Sequence, residues 1–99
     1  LIIGLGGIWT ELLEDVAVVP LPASGRRIEQ ALRSLRGAPV LLGGRGRVAV
    51  DLAAACELAS RIGELLLERS LALIELNPAF VSADGAIVAD AKAVGLCTT

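Results

Sequence analysis

The chain contains no histidine, no methionine and no tyrosine, and among its 99 residues it has one lysine, two cysteines and two aromatics, Trp9 and Phe80. Each shortage removes a class of chemistry. Without imidazole, the thiols of Cys56 and Cys97 cannot close a structural zinc site. One cysteine lies inside a helical pattern and the other beside the C-terminus, so they read as reduced thiols of a cytoplasmic protein rather than a disulfide frame. Lys92 and the arginines are scattered among 11 acids for a net charge of −2, and no basic stripe exists to follow a nucleic-acid backbone. Apolar runs are short as well. Those around Val16 to Val19 and Leu65 to Leu67 fall far below the roughly 18 residues that would span a bilayer, which argues against a membrane role. The apolar opening lacks the basic segment of a signal peptide and runs straight into Glu11 and Glu14.

What is present is aliphatic. Hydrophobic residues make up 55 % of the chain, almost all of them Leu, Val, Ile and Ala, enough for one small core of marginal stability and too many for disorder. The sequence opens at Leu1 in the middle of an apolar run, so residues 1–99 are expected to be a single fragment of a longer protein.

From Leu1 to Pro22 the pattern is β, with Glu14-Asp15 as the turn between two strands and Pro20 and Pro22 ending the second. Ser24 is placed to cap a helix whose apolar stripe is Ile28, Ala31, Leu32 and Leu35, and Gly37 followed by Pro39 should stop it. The glycine-rich "LLGGRGRVAV" reads as a loop. Asp51 then caps a second helix with Leu52, Ala55, Ala59, Ile62 and Leu66 on one face and Glu57, Arg61, Glu64 and Glu68 opposite. "LALIELN" and "GAIVADAKA" are two further strands joined through Ser82 to Gly85, where Asp84-Gly85 is a hairpin signal. The order strand, strand, helix, helix, strand, strand predicts an α+β fold: a two-layer sandwich, mostly antiparallel, with two helices on one face.

The last hairpin, "ELNPAFVSADGAIVAD", carries polar groups inside apolar strands. If Asp84 and Gly85 form the loop, Asn77 lies opposite Lys92 and Ala79 opposite Asp90. Side chains alternate between faces, so Glu75, Asn77, Asp90 and Lys92 share one face while Ile74, Leu76, Phe80, Ile87 and Ala89 share the other. Asn77 and Asp90 then become diagonal neighbours roughly 7–8 Å apart, near enough for an amide oxygen and a carboxylate to hold one hard cation such as Mg²⁺. Pro78 has no N–H and holds Asn77 extended. The same pattern also describes the solvated face of a two-layer sheet.

Three stretches in order, "GLGGIWTELLEDVAVVPLP", "ALRSLRGAPVLLGGRGRVAVD" and "ELNPAFVSADGAIVADAKA", resemble the C-terminal part of the ATP-grasp domain of NDP-forming acyl-CoA synthetases. These include the ADP-forming acetate–CoA ligases and are related to the β subunit of succinyl-CoA synthetase. The resemblance implies that Asn77 and Asp90 are magnesium ligands, that Glu75 and Lys92 contact nucleotide phosphates or metal, and that the cofactors are Mg²⁺ and ATP/ADP. It also implies formation of acyl-CoA, ADP and phosphate from acid, CoA and ATP through a phosphohistidine. With no histidine here and the other half of the clamp missing, the fragment is not expected to be an enzyme alone. Its implied partners are the rest of the ATP-grasp domain and a CoA-binding domain bearing the phosphohistidine. A reading of another class remains open, a non-catalytic interaction or regulatory module that keeps the fold. Self-association through the exposed edge of the opening strand is a further expectation.

Other motifs are ambiguous. "GLGG" at Gly4 to Gly7 lacks the third glycine of a dinucleotide fingerprint and precedes a β pattern, which favours a kinked strand junction over a phosphate loop. Glu11 faces either the nucleotide cleft or solvent. Arg45 and Arg47 sit on a loop that fits a phosphate or CoA contact or a tight turn. Trp9 and Cys56 read as core.

Overall fold

The computed structural model describes residues 1–6 and 15–96. The expectations for Gly7, Trp9, Glu11, Glu14 and Cys97 lie outside them. The α+β class holds, and among the described residues every strand pair is antiparallel, but the strands form three separate two-stranded ladders rather than one sheet.

The first ladder pairs β1 (Ile2–Gly4) with β2 (Val16–Val18), Ile3 opposite Ala17. It is extended by reciprocal bonds, the Leu1 amino group donating to the Val19 carbonyl at 2.8 Å and Val19 N–H to the Leu1 carbonyl at 2.7 Å. Ile3 and Ala17 pack on the core, while Ile2 and Val18 point away, as the twofold alternation of a strand requires.

Helix α1 spans Gly25–Ser34 and begins as expected, with the Ser24 hydroxyl accepting from Arg27 N–H at 3.2 Å. Its stripe supplies the centre of the core. Ile28 is fully buried, Leu32 nearly so, and Leu35 follows just past the last turn. Sequestering an isoleucine side chain contributes about 1.5–3 kcal/mol. Gly37 and Pro39 do not simply stop the helix. A short helix α2, Ala38–Leu41, resumes with Pro39 in its first turn, where a missing N–H costs nothing. Asp15 secures this junction: its two carboxylate oxygens accept from Arg36 N–H and Gly37 N–H, each at 2.8 Å. A side chain at Gly37 would meet the end of the Leu5 side chain, which would have to move aside.

A 3₁₀ turn, Gly44–Gly46, follows within the expected loop, and then comes α3, Leu52–Glu68. The Asp51 carboxylate caps it by accepting from Ala54 N–H at 3.0 Å. Cys56 and Gly63 are its buried residues, flanked by half-buried Ala55, Ala59 and Ile62. Glu57 and Arg61 form the expected i, i+4 ion pair at 3.2 Å on the exposed face. Ile28, Leu32, Leu35, Ala38 and Cys56 make the buried cluster, so the core sits between α1, α2 and α3 above the first ladder. Among the described residues no helix is long and apolar enough to cross a membrane.

The rest of the chain is one long, broken hairpin. Its root pairs β3 (Leu71–Leu76) with β6 (Ala91–Gly95), and its tip pairs β4 (Ala79–Ser82) with β5 (Gly85–Val88). Helix α3 lies against β3, β4 and β5. A bond from Asp51 N–H to the Ser82 carbonyl at 2.7 Å ties the start of α3 to the tip.

Candidate metal and phosphate site on the broken hairpin

The site is built by the hairpin's register. Glu75 pairs with Lys92, Leu76 with Ala91, Ala79 with Val88 and Ser82 with Gly85. The register differs by two residues from the one expected from an Asp84-Gly85 loop. The turn instead uses Ala83 and Asp84, with Asp84 N–H donating to the Ser82 hydroxyl at 3.1 Å and Gly85 opening the return strand at φ +133°, which favours glycine. A slip of two preserves parity, so each residue keeps its face relative to its neighbours on the strand. It changes the partners. Lys92 stands opposite Glu75 rather than Asn77, and Asp90 comes opposite Asn77 rather than Ala79. Asn77 N–H donates to the Asp90 carbonyl at 3.1 Å, and Ala89 N–H to the Pro78 carbonyl at 3.1 Å.

Asn77 and Asp90 are therefore joined across the hairpin by a main-chain bond, in the short segment where regular pairing is interrupted. Both are exposed, as are Glu75 and Lys92. The Asp90 carboxylate is oriented by its own turn, Oδ1 accepting from Ala91 N–H at 2.9 Å. Among the described residues Glu75 and Lys92 form no ion pair although they are partners in the ladder.

Asn77 and Asp90 sit where the ladder breaks, and Glu75 and Lys92 are partners near the end of the root ladder. Regular pairing stops after Leu76 and restarts at Ala79, because Pro78 has no N–H to give the ladder. The break also reverses the sides. In the root, Ile74 and Leu76 are half-buried as expected. In the tip the half-buried residues are Ala79, Val81, Gly85 and Ala86, while Phe80 is 62 % and Ile87 72 % exposed. The expectation that Phe80, Ile87 and Ala89 belong to the core is thus corrected: parity extrapolated through Pro78 does not survive a segment without regular pairing.

The donor set suits a hard cation. An amide oxygen and a carboxylate oxygen on adjacent strands match Mg²⁺, which takes one or two protein oxygens and fills its shell with water and phosphate. Among the described residues no three His, Cys, Asp or Glu side chains cluster.

The remaining candidates separate from this site. Arg47 ends the 3₁₀ turn, its N–H bonded to the Gly44 carbonyl at 3.2 Å, which fits the tight-turn reading. A surface groove of about 630 Å³ runs between α1 and α3, lined by Arg26, Glu29, Cys56, Glu57 and Arg61 among others, none of them on the hairpin. Burial pushes the Cys56 thiol up, Glu29 adds to the rise and Arg33 opposes it. The thiol is buried and protonated, a small hydrophobe rather than a nucleophile.

Residues 1–94 match the ATP-grasp domain family. The chain is 40 % identical over 91 residues to "Acetate--CoA ligase [ADP-forming] II" of Archaeoglobus fulgidus, an alignment covering 92 % of this chain and 13 % of that protein. It is 35 % identical over 92 residues to "Acetate--CoA ligase [ADP-forming] I subunit beta" of Pyrococcus furiosus, covering 92 % of this chain and 40 % of the subunit. Among solved structures it superposes with a TM-score of 0.88 and 30 % identity on the dinucleotide-forming acetyl-coenzyme A synthetase 1 of Ca. Korarchaeum cryptofilum, covering 96 % of this chain and 45 % of that one. That protein was solved in complex with coenzyme A and Mg-AMPPCP, its phosphohistidine segment pointing towards the nucleotide-binding site. The chain thus spans less than half the length of each of these relatives. From the match along nearly all of its length, the chain belongs to the ATP-grasp domain family.

Proposed function

We propose that this chain forms the magnesium- and phosphate-holding side of the nucleotide site in an ADP-forming acyl-CoA synthetase. The observation that carries the reading is the main-chain bond that joins Asn77 to Asp90 across the break of the hairpin. In this role the side-chain oxygens of Asn77 and Asp90 hold Mg²⁺, and Asp90 contributes the charge. When bound, the ion neutralises and aligns phosphate oxygens, which is the chief demand of phosphoryl transfer. Lys92 would set a positive charge beside the same phosphates, with Glu75 opposite it in the ladder as a second polar group on the exposed hairpin. The acetate–CoA ligase relatives and the Mg-AMPPCP complex of the structural neighbour support this reading.

The histidine that carries the phosphoryl group, the remainder of the nucleotide clamp and the CoA site are supplied by other parts of the longer protein, since this chain contains no histidine. On this reading the 99 residues alone do not turn over.

The test is label transfer from γ-labelled ATP to the longer protein, wild type against Asp90→Ala, with and without Mg²⁺. The expected result is Mg²⁺-dependent labelling of a histidine, lost in a variant that keeps the wild-type circular dichroism spectrum. Full labelling of Asp90→Ala would overturn the metal assignment. A folded wild type that takes no label would favour a non-catalytic interaction module.

A further inference from the structure

We draw no further inference here: the strongest candidate, the exposed apolar cross-strand pair Phe80–Ile87 on the outer side of the hairpin tip, carries nothing because no observation in the structure shows what covers it.

Discussion

In the cluster between α1, α2 and α3, Ile28 is fully buried and Leu32, Leu35, Ala38 and Cys56 are each at most 7 % exposed, whereas the long hairpin has no buried residue from Leu71 to Leu96. One region is held by packing. The other is held by main-chain hydrogen bonds, a turn and one face resting on α3. The residues suited to hold a cation belong to the second region, and the comparison gives the reason. A side chain that fills a core cannot also reach solvent; Glu75, Asn77, Asp90 and Lys92, which the proposed function needs at solvent, lie on the exposed hairpin and depend on the register for their placement.

The contrast is sharpest at Ile28. Ile28→Ala should destabilise the chain by about 2–5 kcal/mol, because the substitution removes buried methyl groups and leaves a cavity in the best-packed part of the molecule. A urea transition shifted to clearly lower concentration with an unchanged slope is the expected result. An unshifted midpoint would show that the helical cluster does not carry the fold.

For the hairpin the largest loss should come from the backbone rather than a side chain. Gly85 holds φ +133°, so Gly85→Ala should cost about 1–3 kcal/mol although nothing lies within 4 Å of the added Cβ. Hydrogen exchange should locate the loss in β4 and β5, leaving the α1 amides protected. Loss spread evenly over the chain would break the distinction between the two regions.

Asp51 joins them, capping α3 with its carboxylate while its N–H bonds to Ser82 at the tip. Asp51→Ala should cost about 1 kcal/mol, the usual value of a cap, and Asp51→Asn should restore most of it, read from the same urea midpoints. The smallest effect is expected at Phe80. Phe80→Ser should change stability by no more than about 0.5 kcal/mol, since the ring is 62 % exposed. A loss of several kcal/mol in thermal or urea unfolding would return Phe80 to the core and contradict the reversal of sides at Pro78.

Local chemistry made the helices readable. Ser24 and Asp51 cap because a short polar side chain reaches an unpaired N–H within one turn, and the stripe Ile28, Leu32, Leu35 follows from the helical period. The turn was harder. Asp84-Gly85 signals a hairpin, but a signal of composition allows several loop placements, and the Ser82 hydroxyl together with Gly85 selected the one that brings Asn77 opposite Asp90. The likeness to NDP-forming acyl-CoA synthetases pointed to the same pair without its register. Asp15 gave no warning of its role. A carboxylate that bridges two N–H groups more than 20 residues away leaves no periodic trace, so the sequence assigned it only to a turn.

The amino-acid sequence by itself determined the α+β class, both long helices with their caps and the identity of the four polar hairpin residues, because each depends on neighbours within a few positions. Tertiary structure alone decided the separation into three ladders, the register, the exposure of Phe80 and Ile87, and the anchoring by Asp15. Those depend on which backbone groups meet across long separations, and between Leu76 and Ala79, where regular pairing is interrupted, the alternation on which extrapolation from sequence relies ends.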